Sequence, residues 1–593
     1  MSEFLLKKAL EAHQSGDLKQ AEKFYTAVLK DLPDHPDALA LFGLLLDATD
    51  RKSEALRSIE RAIAMDPNAA LFRFYLGNVR MSMGNLAGAI KAYREAITLQ
   101  ADRPEFFYNL GNALRQSGSL EEARLSYMQT LALVPEHAMA RNNLALVYEK
   151  EKKLADAVRE LRQAVEDAPD YAEGWLNLCS LAEKDGQFDL SLLAGQKVTE
   201  LAPEATDGWF GVGVALNRLA RDEEALIAYR KALQLEPERA DLWDNLGQTY
   251  QCLGRNEESR KAYLKSVEVA GQFIADEDTR KVDESEYGNR HWHLALIELL
   301  LGDYRRGFAR YRARFHDVKG LQRPKIAAKV WHGEEVRDCT ILVMDEQGHG
   351  DGLMMARYCP LLRARGAYVK FQLHPALAPY FKGWSGADEI LTHDQPIGSC
   401  DYYASIFDLP YGFRTALGSI PCQVPYLPLP EPDRDTTVLG ERGLKIGVVW
   451  AGAPLHKQDS KRSIPLSVFS HLFEESSFCF YSFNRDKREG DEEILAHYNV
   501  RDLSGKLYTF LQTAQLMRQM DLIITCDTST AHLAGGMGLP VWTLLPFAPD
   551  WRWLMDREDT AWYPTMRLFR QKKPRAWAPL MAHVREALRK IEN

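Results

Sequence analysis

At 593 residues the chain exceeds what one hydrophobic core can organise, so several domains, or a repeat array joined to a compact part, are expected. Apolar residues at 46% and charged residues at 26% are ordinary for a globular protein and exclude a disordered or membrane-embedded chain. A net charge of -9 without any dense Lys/Arg block excludes the electrostatic footprint of a nucleic-acid binder.

The start, MSEFLLKKALEAHQSGD, is charged and amphipathic, without the apolar stretch and cleavage site of a signal peptide. No later apolar run approaches the roughly 20 residues that span a bilayer, so a cytoplasmic protein is expected. Eight cysteines (179, 252, 339, 359, 400, 422, 479 and 526) form no CxxC pair and lie near no His cluster; they read as reduced thiols rather than a zinc site or a disulfide framework.

Pro33, Pro67, Pro135, Pro169, Pro203 and Pro237 fall on a 34-residue grid. Gly43, Gly77, Gly111, Gly213 and Gly247 share that grid at an earlier phase, and Ala21, Ala55, Ala89, Ala123, Ala157 and Ala225 at another. Small residues suit the close approach of two helices in a hairpin, and Pro ends the second helix. The phases match the tetratricopeptide repeat (TPR), about seven units over residues 1–270. Two residues before the grid glycine, Asn recurs at Asn109, Asn143, Asn177 and Asn245, interrupted at Tyr75 and Gly211. An amide both donates and accepts, so such a row can grip the backbone of an extended acceptor peptide in the groove of the array; the alternative is that Asn is simply common at this position. The row resembles the asparagine ladder of the O-GlcNAc transferases.

Residues 271–322 read as a connector: a polar, acidic stretch to 290, then a helical hairpin in HWHLALIELLLGDYRRGFARYRARF that docks the array onto the C-terminal half. From 323 the pattern becomes short apolar strands alternating with helices, which predicts parallel sheets with right-handed crossovers. One unit, 323–436, opens with a strand ending near Met344, a Gly-rich turn, a helix and a strand over 367–373. The second, 437–593, has strands at LKIGVV, FCFYSF, DLIITC and VWTLLP. The Pro-rich PCQVPYLPLPEPDRDTTV reads as the linker between them. Ligands of such sheets sit at the carboxyl ends of strands, where Asp527, Thr528, Ser529 and Thr530 follow a strand and begin a helix, an arrangement suited to a nucleotide phosphate. Two D-x-D matches, Asp276/Asp278 and Asp433/Asp435, lie in polar connectors rather than after strands, so no metal site is assigned.

DLIITCDTSTAHLAGGMGLPVW followed by LLPFAPDWRWL, together with EQGHGD and GVVWAGAPLHKQDSKRSIPL, resembles bacterial TPR-linked glycosyltransferases related to the heptosyltransferases. The resemblance covers essentially the whole chain and implies a GT-B fold, a pair of Rossmann-like domains, C-terminal to the α-helical array. It implies that Asp351 is the general base on the acceptor hydroxyl, against the alternative of a helix cap, and that Lys461 and Arg462 neutralise donor phosphates, against a solvated basic loop. It also implies that His532 lies near those phosphates, and that Trp450, Ala451 and Gly452 bring the strand end to the donor. His349 departs from the family pattern and reads either as a second catalytic residue or as an incidental loop residue. The expected activity is inverting, metal-independent and cofactor-free transfer of a sugar from a nucleotide-sugar to Ser or Thr of a protein. The resemblance extends to flagellin glycosyltransferases, which implies flagellin as acceptor and a CMP-activated nonulosonic acid such as pseudaminic acid as donor. The rival expectations are a TPR scaffold for motility or secretion machinery without catalysis, and a transferase acting on lipopolysaccharide or another glycan.

Overall fold

The computed structural model describes residues 2–271, 290–317, 323–436, 443–454 and 459–592. The acidic stretch 272–289, with Asp276 and Asp278, and residues 455–458 of the loop before Lys461 lie outside them. The chain forms two compact units, Met1–Pro237 and Glu238–Asn593.

Among the described residues, unit 1 contains fourteen helices in antiparallel pairs, from α1 (Ser2–Gln14) and α2 (Leu18–Asp31) to α13 (Thr206–Arg218) and α14 (Asp222–Leu235). A side chain at Gly77, Gly111 or Gly213 would strike the ring of Tyr93, Tyr127 or Tyr229, 2.3–2.7 Å from the nearest carbon. The glycines of the first helix in each of these pairs therefore exist to seat a tyrosine of the second. The grid alanines are fully buried between the helices. The turn inside each hairpin carries one left-handed residue at a fixed phase: Gly16, Asp50, Gly84, Gly118, Lys152, Gly186 and Ala220.

Unit 2 begins with two helix pairs, α15 (Ala240–Cys252) with α16 (Asn256–Val269) and α17 (His291–Leu300) with α18 (Tyr304–Tyr311), then a short α19 (Arg314–Asp317). The α17–α18 pair corresponds to the predicted docking hairpin. Next come β1 (Lys329–Val330), β2 (Thr340–Met344), α20 (His349–Met355), α21 (Cys359–Ala364), β3 (Tyr368–Leu373), α22 (Ala378–Phe381), β4 (Glu389–Thr392), β5 (Tyr402–Ser405) and α23 (Leu409–Gly412). After the linker come β6 (Leu444–Val449), α24 (Asp459–Arg462), α25 (Leu466–Phe469), β7 (Phe478–Ser482), α26 (Asp491–His497), β8 (Arg501–Asp502), α27 (Phe510–Met517), β9 (Leu522–Cys526), α28 (Ser529–Gly536), β10 (Val541–Leu545), β11 (Met566–Arg570) and α29 (Trp577–Glu592).

Both sheets are parallel throughout. The first has the order β1-β5-β2-β3-β4 and the second β11-β10-β9-β6-β7-β8. Numbered within itself, the second sheet runs 3-2-1-4-5-6, the doubly wound order, with its reversal between β6 and β9. Strands covered by helices on both faces must be apolar along their whole length, and every residue of β9 and β10 is buried. One apolar core runs from α16 and the α17–α18 hairpin through both sheets to α29. The linker is strapped to α27 and the turn after it: Gln515 Nε2 donates to the Glu431 carbonyl at 2.7 Å and Gln519 Nε2 to that of Thr436 at 2.8 Å. Asp433 Oδ1 accepts the backbone N–H groups of Asp435 and Thr436 at 3.0 Å, so this D-x-D match is a surface turn.

Candidate functional site

The carboxyl ends of the two sheets supply the side chains singled out from the sequence. In the second sheet the chain turns outward after β6 at Trp450, which is buried, its backbone N–H donating to Asn484 Oδ1 at 2.9 Å; Asn484 Nδ2 returns a bond to the Ala451 carbonyl at 2.9 Å. Gly452 donates its N–H to Ser463 Oγ at 3.0 Å. A side chain at Gly452 would lie 2.6 Å from Arg462 Nη2, so the glycine lets this guanidinium cross the strand end. Arg462 Nη1 donates to the Asp527 carbonyl at 3.2 Å, which joins the ends of β6 and β9 at the reversal point. Lys461 is exposed beside it.

After β9, Thr528 adopts extended backbone and makes no side-chain cap, so Ser529 and Thr530 open α28 with half-buried hydroxyls. The first N–H groups of a helix have no intrahelical acceptor and favour an anion. Burial, reinforced by the charge of Asp550, pushes the Asp527 carboxyl up to about 6.

Across from α28 lies α20. A side chain at Gly350 would meet His532 Cδ2 at 2.8 Å and Ser529 Cα at 3.3 Å, so glycine is what allows the two helices to pack start to start. His532 is buried, stacked on Trp553 with centroids 5.4 Å apart, and its Nδ1 bonds the Tyr563 hydroxyl at 2.8 Å. Burial, with Arg552 and Arg357 nearby, drives its pKa well down, so His532 is a neutral packing group here.

Asp351 sits in the first turn of α20, where Oδ2 accepts the Gly348 N–H at 2.9 Å and Oδ1 pairs with Arg552 from the far side. Burial raises its carboxyl and Arg552 offsets only part of the effect. Arg552 lies in the short turn Trp551–Trp553, where it also binds Asp550 at 2.6 Å. Trp551 is boxed by Tyr304, Phe308 and Tyr311 of α18, by Phe407 and by Trp562, with centroids 5.6–6.3 Å apart. Arg552 was not legible as a site residue from its charge alone; the signal was the DWRWL segment, in which a cation lies between two indoles.

Beneath α20, Arg314 is fully buried and binds Glu346 through two bonds of 2.7 and 2.9 Å and Asp408 at 2.9 Å. Burial pushes Asp408 up, but Arg314 and Arg323 together hold it well below the ordinary carboxylate range. Glu346 follows β2 and Asp408 follows β5, so one guanidinium ties the two loops at the reversal point of the first sheet. Arg357, also buried, spans the two sheets through the carbonyls of Met354 (2.8 Å) and Trp562 (2.7 Å) and the Tyr426 hydroxyl (2.9 Å).

His349, the first residue of α20, faces His374, with Nε2 and Nδ1 3.2 Å apart. In unit 1 the asparagine row is internally bonded: Asn109 Nδ2 donates to Asn78 Oδ1 at 3.0 Å, Asn143 Nδ2 to Asn112 Oδ1 at 2.9 Å and Asn177 Nδ2 to Asn142 Oδ1 at 2.8 Å. In unit 2, Asn245 Nδ2 donates to the Asp241 carbonyl at 2.9 Å. In unit 1 the row thus staples neighbouring repeats, whereas Asn245 bonds within its own helix, and the Asn143 carbonyl oxygen itself accepts from Asn142 Nδ2 at 3.4 Å.

Models of the tetratricopeptide repeat match residues 12–74, 77–114, 108–172, 153–206, 176–240 and 240–273. The N-terminal region is a TPR array. Protein FlbA of Caulobacter vibrioides is 25% identical over 329 residues, 50% of this chain and 54% of its own length, so the chain spans about half the curated relative it matches. Among solved structures the chain is similar to YrrB, a TPR protein with an unusual peptide-binding site (23% identity, 31% of this chain and 94% of that one, TM-score 0.29). It is also similar to the C-terminal part of a TPR repeat-containing protein from Cytophaga hutchinsonii (17% identity, 41% and 99%, TM-score 0.35). Among the described residues, no helix is long and apolar enough to cross a membrane.

Proposed function

We propose that the chain is a protein O-glycosyltransferase in which the TPR array recruits a polypeptide acceptor and the two parallel sheets form a GT-B-type centre. The observation that carries this reading is the reversal point of the second sheet. There Trp450, Gly452, Arg462, Asp527, Thr528 and the start of α28 converge opposite α20 of the first sheet. A nucleotide-sugar would place its phosphates on the N–H groups and hydroxyls of Ser529 and Thr530, with Arg462 and Lys461 supplying positive charge as the phosphate leaves. An acceptor hydroxyl approaching from the α20 side would displace the nucleotide in one step with inversion. Within this reading, the resemblance favours flagellin as acceptor and a CMP-activated nonulosonic acid as donor over a lipopolysaccharide acceptor.

A thermal-shift series with CMP, UDP, GDP and ADP on the full chain and on Arg462→Ala tests the donor site. One nucleotide should stabilise selectively, by about 2.7 kcal/mol at a hundredfold excess over Kd, and the variant should lose most of that gain. A second reading, a TPR scaffold without catalysis, is favoured by one feature: both oxygens of Asp351 are already engaged and α20 closes against α28. Under it, no nucleotide shifts the melting temperature.

A further inference from the structure

Asp345, His374 and His393 are each the first residue after one of three adjacent strands, β2, β3 and β4. They converge at the carboxyl edge of the first sheet. Asp345 Oδ2 accepts the backbone N–H of His374 at 2.7 Å, and its Oδ1 pairs with His393 Nε2. His374 Nδ1 accepts the Ala376 N–H at 3.1 Å, so its lone pair lies at Nδ1. That same atom faces His349 Nε2, and the proton they share therefore belongs to His349. The tautomer leaves His349 Nδ1 unprotonated. Its ring is half-buried against Phe510 of α27, at a centroid distance of 5.2 Å, on the residue that opens α20. Among the described residues, no group of three or more His, Cys, Asp or Glu is arranged to hold a metal ion. Asp345 reaches His374 through its backbone N–H, so the carboxylate holds the residue in place rather than passing a proton through its ring.

Asp351, in contrast, spends one oxygen on the Gly348 N–H and the other on Arg552. We propose that His349 accepts the proton of the acceptor hydroxyl, with His374 as its positioning residue and Asp345 anchoring His374, while Asp351 holds Arg552 in place. The proposal rests on the glycosyltransferase reading. In the step, the hydroxyl oxygen bonds to the anomeric carbon and the bond from that carbon to the nucleotide phosphate oxygen breaks. The electron pair leaves with the phosphate, and the hydroxyl proton passes to His349 Nδ1. The imidazolium formed keeps its Nε2–H on His374 and lies in the field of Asp345. Burial and the neighbouring His374 lower the His349 pKa below the ordinary 6.5, and Asp345 opposes them, so the imidazole is neutral and competent at neutral pH.

The test measures nucleotide release from CMP-, UDP-, GDP- and ADP-linked sugars, with water or flagellin as acceptor, as a function of pH. The wild-type kcat/KM should rise with pH through a half-point below 6.5. His349→Gln should lower kcat by about a hundredfold or more and lose that limb, while keeping the nucleotide-induced stabilisation that reports a folded donor site. His374→Ala should move the limb upward, toward 6.5. A His349→Gln enzyme that keeps its kcat within about threefold and its acidic limb, with both lost instead in Asp351→Asn, overturns the assignment in favour of the carboxylate. A wild-type chain that is stabilised by no nucleotide and cleaves no nucleotide-sugar overturns the transferase reading itself, and this proposal with it.

Discussion

In the turn between α13 and α14, Ala220 holds φ at +58°, a left-handed backbone that costs an L side chain roughly 1–2 kcal/mol and glycine almost nothing. Ala220→Gly should therefore stabilise the protein by about 1 kcal/mol, read as a higher urea midpoint with an unchanged slope. Gly118→Ala, at the same phase of another hairpin, should destabilise it by a similar amount. The sequence concealed this requirement because Asp50, Lys152 and Ala220 break the glycine row, whereas the Pro and Ala rows survive nearly intact. The grid glycines were legible, but the tyrosines that demand them were not. Those partners lie 16 residues further along, as in Gly77 and Tyr93, and a contact between helices leaves no local pattern. At the site, Asp527, Thr528 and Arg462 could be read from motif and strand end together. His374 and His393 could not, because each stands alone in sequence and acquires a neighbour only when the sheet assembles.

At the scale of elements, the strands found from sequence were continuous apolar runs, such as β9 and β10. Those that escaped were β1 and β8, with two residues each, β4 and β5, with four each, and β11, where arginines interrupt the apolar positions. Helix α17 carries a buried carboxylate that amphipathic patterning would have placed outside. Glu298 is fully enclosed, with Arg310 bonded to one oxygen at 2.6 Å and the other oxygen unpaired. Burial raises its pKa from 4.5 to about 7, so the folded state holds a proton that the unfolded state has released. The resulting stability is present below 4.5 and is lost as pH rises toward 7, a change of about 3 kcal/mol. Glu298→Gln should match the wild type in thermal melts at pH 4.5 and melt higher at pH 8.

At the scale of the molecule, the sequence boundary at 323 separates a helical from an α/β pattern, yet the core of unit 2 does not divide there. Tyr304, Phe308 and Tyr311 enclose Trp551, and Arg314 pairs with Glu346 and, alongside Arg323, with Asp408. A fragment of residues 323–593 would expose the indole and leave two buried carboxylates without this partner, at a cost of about 3–5 kcal/mol for a broken buried pair. It should show no cooperative unfolding transition in urea, whereas residues 238–593 should unfold as one unit. The boxed tryptophan also constrains ancestry. A gene rearrangement that exchanged the recruiting array for another would yield a folded product only if its crossover fell upstream of the hairpin, so the inheritable module is longer than the parallel sheets by the helices that hold Trp551.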